Sequence, residues 1–260
     1  MDSVTTQKND GVYQVTINRP EQMNALDVDA LGRLLDAVTT AGQDDSIRCL
    51  VLTAQGRGFC TGADVNEWAD AHANGTLETY GWTERAHELM LCLAELRVPT
   101  IAAISGIAVG AGIDLALCCD FRIASRSARF KPGYTSMAYA PDAGGSWWLP
   151  RIVGDMAAKR FLFLDETWSA DTALETGLLM SVHEDDELPS ATLELAKRLA
   201  RGPTFAFEKS KELIRQSRNH SLAEQLAAEQ QAGIACGRTE DAVEAVRAST
   251  QKRAPQFIGK

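Results

Sequence analysis

The sequence predicts an α/β protein with a helical C-terminal part. Three observations carry this: strand-type and helix-type hydrophobic patterns alternate through the first half, glycine-rich stretches sit at two strand-to-helix junctions, and from about Gly154 helical patterns dominate.

The elements follow in order. Residues 12–18 read as a strand, with Val, Val and Ile at period two and Arg19-Pro20 ending it. Asp27 is placed to cap a helix running to about Gly42, with Leu31, Leu34, Leu35 and Val38 on one face. Residues 47–53 form a short apolar run of the kind expected in a buried strand. A turn containing Gly56, Gly58 and Gly62 leads into helical sequence, and an amphipathic segment spans residues 77–96. Pro99 precedes an apolar strand at 100–105, and residues 120–124 supply another. Strands separated by helices imply right-handed β-α-β crossovers. In the second half helices are expected at 156–164, 170–176, 188–201, 203–218, 222–236 and 239–253, with Pro203 in a first turn and only residues 178–183 strand-like. Nothing in this stretch reads as a repeat or flexible linker, so the helical tail is expected to pack on the core or on a neighbouring subunit.

Composition narrows the function. The chain has 260 residues, 45% hydrophobic, with 26 Lys+Arg against 35 Asp+Glu and a net charge of −9. That balance argues against a duplex nucleic acid or an anionic membrane as partner, since both demand a basic footprint, and restricts any polyanion to a local site. The six cysteines lack C-x-x-C spacing, the first residues lack an apolar signal segment, and the apolar run at 101–117 is broken by Ser105, Gly106, Gly110, Gly112 and Asp114. A reduced, cytoplasmic protein without a membrane span is expected. His72, His87, His183 and His220 show no metal-ligand spacing, and a G-x-S-x-G elbow is missing, so metalloenzyme and serine hydrolase chemistry are not expected.

The glycine-rich stretches are Arg57-Gly58-Phe59-Cys60-Thr61-Gly62-Ala63-Asp64 and Gly106-Ile107-Ala108-Val109-Gly110-Ala111-Gly112-Ile113-Asp114. Glycine permits positive φ and close backbone approach, and peptide N–H groups at a helix start are free to donate. Two such turns facing each other would form an oxyanion hole; taken singly, each reads more readily as a tight strand-to-helix turn. Neither has the order of a phosphate-binding loop.

These turns, with Asn24-Ala25-Leu26 upstream and Pro141-Asp142-Ala143-Gly144-Gly145-Ser146 downstream, resemble the crotonase (enoyl-CoA hydratase/isomerase) superfamily over nearly the whole chain. The resemblance implies a ββα spiral core over residues 1–200 carrying an acyl-CoA site, and a helical region at 201–260 that forms a homotrimer or hexamer. It implies an oxyanion hole made by the N–H groups of Ala63 and Ala111 around an acyl-CoA thioester. Coenzyme A would lie along Asn24, Ala25, Leu26, Thr61, Asp64 and Val65, with Lys252 reaching its phosphates, and no tightly bound cofactor or metal is implied.

The acid/base pattern departs from that of the hydratases. Their two glutamates fall here on Asp114 and Tyr134, and a phenol of pKa about 10 replaces a carboxylate poorly as the base that activates water. In double-bond-shifting relatives an aspartate in the Pro-Asp-x-Gly-Gly position is the acid/base, which points to Asp142. Without the resemblance Asp142 reads equally as the cap of a helix over 143–149, and Asp114 as a carboxylate meeting a buried partner. Trp68, Tyr134 and Trp147 are expected to shape an apolar acyl pocket. The favoured expectation is an enoyl-CoA isomerase using Asp142; a 2-enoyl-CoA hydratase using Asp114 and Asp142, and a non-catalytic acyl-CoA-binding scaffold, are the alternatives.

Overall fold

The computed structural model describes residues 2–260, apart from the side chain of Glu78. Ten strands form two sheets. The larger has the order β1 (Val4–Asn9), β2 (Val12–Ile17), β3 (Cys49–Ala54), β5 (Thr100–Ile104), β7 (Phe121–Ser125) and β10 (Ser181–His183). The smaller has β4 (Gly58–Cys60), β6 (Ile107–Val109), β8 (Arg129–Lys131) and β9 (Trp168–Ser169). Within the large sheet all neighbours from β2 onward run parallel, and β1 pairs antiparallel with β2.

Successive strands alternate between the sheets. β3, β5 and β7 enter the large sheet, and β4, β6 and β8, next in the chain, enter the small one before the chain turns helical. This repeated β-β-α unit is the crotonase-type spiral. The helices are α1 (Val28–Gln43), α2 (Val65–Ala73), α3 (Trp82–Glu95), α4 (Ala111–Leu117), α5 (Gly145–Val153), α6 (Asp155–Leu164), α7 (Ala170–Glu175) and α8 (Leu188–Ala200). Beyond them come α9 (Thr204–Gln216), α10 (Leu222–Cys236) and α11 (Glu240–Thr250).

The main core joins one face of the large sheet to α1, α3, α4 and the small sheet, through residues such as Ile17, Leu34, Leu52, Phe59, Leu89 and Phe130. A smaller cluster on the other face includes Val51, Ile101 and Ile123 and is covered by Leu188, Ala196 and Ala200 of α8. Because β3 and β5 are buried on both faces, they read in the sequence as continuous apolar runs.

Several local expectations shift. β1 carries no hydrophobic alternation, five of its six residues being exposed, so periodicity did not reveal it. Its signal was the turn: Asp10 (φ 49°) and Gly11 (φ 79°) make a two-residue hairpin loop with positive φ at both positions. The expected helix at 77–96 divides into a 3₁₀ turn, Leu77–Thr79, and α3, because Gly81 takes a left-handed φ of 79° between them. Asp27 caps α1 through Ala30 N at 2.7 Å. Asp142 caps nothing: α5 starts at Gly145 behind Gly144, whose φ of 101° no ordinary L-residue adopts readily. Pro203 stands immediately before α9.

The tail is tied to the core at few points. Arg48 binds Thr204 Oγ1 (3.1 Å) and Phe257 O (3.0 Å), and Lys211 reaches Val98 O (3.0 Å) and Asp120 (2.7 Å). α10 packs on α9 and buries none of its own residues. No helix among the described residues is long and apolar enough to cross a membrane.

Candidate active site

The first glycine turn connects β4 to α2. Gly62, at φ 84°, lets the chain reverse, and a short parallel bridge then pins it: Leu26 N donates to Gly62 O (2.7 Å), and Asp64 N donates to Leu26 O (3.0 Å). In such a bridge the residue between the two bonded ones faces away. That residue is Ala63, and its N–H has no acceptor among the described residues.

The second turn connects β6 to α4. Gly110 adopts φ 54° and ψ −127°, a conformation reserved in practice for glycine, and Ala111 opens the helix with an N–H that likewise has no acceptor there. The turns interlock. A Cβ on Gly62 would lie 3.3 Å from Ala111 N and 3.1 Å from Val109 O, and a Cβ on Gly112 would collide with Cys60. Ala63 and Ala111 both line one cavity of about 200 Å³, so two unspent amide donors converge on the same space. Such a pair stabilises an oxygen that gains negative charge.

The rest of the lining is aromatic and apolar, with Trp68, Tyr80, Trp82, Tyr134, Tyr139 and Met137. Trp68 packs edge-on against Tyr139 at 4.7 Å between ring centroids. Tyr80 is oriented by its hydroxyl, which donates to Glu67 at 2.7 Å.

Asp142 is the one carboxylate in this lining. It follows Pro141 in the segment before α5, and its carbonyl oxygen lies 2.7 Å from His87 Nε2 on α3, which fixes the peptide. Partial burial raises the carboxyl pKa above the ordinary aspartate value, and the nearby His87 works against that shift.

Asp114 is elsewhere. It sits on α4, only 2% exposed, behind Tyr134: the phenol donates a hydrogen bond to Oδ2, and the Gly145 backbone lies close against the carboxyl and lowers its pKa. Gly145 must lack a side chain, since a Cβ would overlap the Asp114 carboxyl. Burial lifts the Asp114 pKa to about 7, only partly offset by those contacts.

The other residues singled out in the sequence divide sharply. Thr61, Val65, Trp68 and Tyr134 line the cavity. Asn24 is fully buried and its side chain is consumed as a strap, accepting from Arg19 N (2.8 Å) and donating to Gln55 O (2.8 Å) and Gly58 O (2.7 Å). Ala25 and Leu26 are buried too, and Leu26 O accepts from Trp82 Nε1 (2.7 Å). Asp64 caps α2 through Asn66 N and pairs with Arg19 at 2.9 Å. These side chains therefore shape the turn rather than present themselves to a ligand. Trp147 is not in this cavity; it is 40% exposed, packs against Trp148 and lines a different one. Lys252 is exposed just past α11, outside the cavity lining. Sequence reasoning missed His87 and Gly145. The doubled Gly144-Gly145 was a signal for the second, whereas nothing local marks the first.

The enoyl-CoA hydratase/isomerase family model matches residues 7–260. The chain belongs to that family. As a member of the enoyl-CoA hydratase/isomerase family it is an enzyme acting on acyl-CoA thioesters. It is 37% identical over 262 residues to 1,2-epoxyphenylacetyl-CoA isomerase of Escherichia coli, with 100% of both chains covered. It is 34% identical to 2,3-dehydroadipyl-CoA hydratase of the same organism, again over the whole of both. A solved structure from Pseudomonas aeruginosa is 55% identical with a TM-score of 0.85, covering 88% of this chain and 98% of that one. An enoyl-CoA hydratase from Bacillus anthracis superposes with a TM-score of 0.92 at 31% identity, covering 99% and 100%.

Proposed function

We propose that this enoyl-CoA hydratase/isomerase family member is an isomerase that shifts a carbon–carbon double bond in an acyl-CoA, with Asp142 as its acid/base. One observation carries the reading: the cavity that holds both free amides exposes a single carboxylate, while the candidate second one, Asp114, is screened by Tyr134. Activating water for hydration calls for more than one well-placed acid/base, whereas moving a double bond needs one group that takes a proton and returns it.

In this reading the thioester carbonyl oxygen accepts from Ala63 N–H and Ala111 N–H. Ionised Asp142 removes a proton from the α-carbon, the electron pair delocalises into the carbonyl as a dienolate held by the two amides, and protonated Asp142 returns the proton to the γ-carbon. Each amide donor is worth roughly 2.7–4 kcal/mol of transition-state stabilisation. Asp114 acts at one remove: it holds Tyr134, and Tyr134 closes the floor of the site against water. Coenzyme A enters with the substrate, along the bridge between Leu26 and Ala63 with Thr61 and Val65 at its edge, and no tightly bound cofactor is required.

The aromatic walls suit an aromatic or short apolar acyl group, in keeping with the E. coli 1,2-epoxyphenylacetyl-CoA isomerase. Exposed Met156, Phe163, Leu164, Leu222 and Leu226 on α6 and α10 suit assembly into a trimer or hexamer, and six free thiols suit the cytoplasm. The test is a Δ3-enoyl-CoA isomerisation assay beside a crotonyl-CoA hydration assay, on the wild type and Asp142→Ala. Isomerisation lost in the variant supports the reading; isomerisation unchanged, or hydration as the dominant wild-type activity, refutes it.

A further inference from the structure

A second cavity, of about 430 Å³, shares no lining residue with the catalytic one. Its walls come from the C-terminal end of α4, the start of β7, α5 and α9. Leu117, Trp148, Ile152 and Phe207 make much of it apolar, yet four cations also face it: Arg122, Lys211, Arg215 and Arg218.

Only one carboxylate is in this lining, Asp120, and it is already committed to Lys211 Nζ at 2.7 Å and to Thr100 N at 2.8 Å. Arg215 has a loose surface contact with Glu95 at 3.5 Å. The other two guanidiniums are in no ion pair among the described residues. Arg122 spends Nε on Leu178 O (2.8 Å) and Nη1 on Cys119 O (2.6 Å), both neutral acceptors, and keeps Nη2 unspent. Burial lowers its pKa, and the nearby Asp120, which makes no ion pair with it, offsets this only in part. Arg218 approaches only the face of Trp147, at 5.6 Å from the ring centroid. In a chain of net charge −9 this is a local reversal of sign, and an unpaired guanidinium in an apolar wall is costly unless an anion joins it.

We propose that this cavity is a second ligand site, which binds a free organic carboxylate with an apolar body, the carboxylate set between Arg122 and Arg218 and the body against Trp148 and Phe207. Guanidinium forks match carboxylates, and the volume falls within the range of small-molecule sites. The two cavities are built on shared elements: Cys118, the cap at the end of α4, lies one turn beyond Asp114, and Trp148 lies just beyond Gly145 on α5.

The test is calorimetric titration of the full chain, saturated with phenylacetyl-CoA so that the acyl part of the first cavity is occupied, using 4-phenylbutyrate and its uncharged analogue 4-phenylbutan-1-ol. The carboxylate is expected to bind at one site per chain and at least tenfold more tightly than the alcohol. Arg218→Gln, on an exposed residue, and Arg122→Gln are each expected to weaken the carboxylate at least tenfold while leaving the alcohol unchanged. Should Arg122→Gln fail to fold, Arg218→Gln decides alone. Equal affinity for the two compounds, indifference to Arg218→Gln, or no binding heat would overturn the proposal.

Discussion

The hydroxyl of Tyr134 donates to Oδ2 of Asp114, and the pair is buried together at the cavity that holds the two free amides. The resemblance places the two glutamates of hydratases at these positions, and here the two side chains bond to each other. The carboxylate that does face the cavity is Asp142, and this separation of roles can be measured.

Asp142→Asn should lower kcat for isomerisation by roughly 10²–10⁴-fold, the usual worth of a positioned acid/base. Because Asp142 lies at the exposed mouth, Tm should hardly change. Its raised pKa also places the acidic limb of kcat/KM above the ordinary aspartate range, and rate profiles of the wild type would show activity falling with acid from that higher point.

Asp114→Asn should keep kcat within about tenfold of wild type, as expected for a group that acts through Tyr134 and not on substrate. A loss of a hundredfold or more would return Asp114 to the acid/base role.

Stability has its own signature. Asp114 has a folded pKa of about 7 against an ordinary 3.8, so between those values the native state binds more protons than the unfolded chain. Its contribution is therefore fully present below about pH 4 and lost as pH rises to about 7, by up to about 4 kcal/mol. Denaturant titrations from pH 4 to 8 should show this decline superposed on the other groups, and Asp114→Asn should flatten it.

Gly145→Ala drives a methyl into the Asp114 carboxyl and should destabilise the fold by roughly 1–3 kcal/mol, the usual cost of overpacking. Chemical denaturation compares the two, and Gly144, in open contact with Trp148 at 3.5 Å, gives a contrast in which strain comes from φ alone.

Gly62→Ala places its Cβ against Val109 O and the Ala111 amide at φ 84°. It should cost kcat roughly 10–10³-fold by displacing the amide donors, with KM for the acyl-CoA far less affected. A rise in KM with kcat unchanged would argue that the turn serves binding alone.

What the sequence by itself determined was whatever local backbone chemistry controls. Gly62 and Gly110 announce turns that leave the next amide unspent, Asp27 announces a cap, and the apolar runs of β3 and β5 announce a sheet covered on both faces, because φ, hydrogen-bond supply and burial pattern are properties of short segments. Tertiary structure decided which side chains meet. Neighbouring tryptophans on α5 both line the second cavity and not the one that holds the two free amides; Asn24 and Asp64 brace the first turn; and Asp114 is buried in a hydrogen bond to Tyr134, with Gly145 of α5 packed against its carboxyl. Residues as far apart as Asp114, Tyr134 and Gly145 come together only when the two sheets and α4 and α5 pack, and no local pattern encodes that contact.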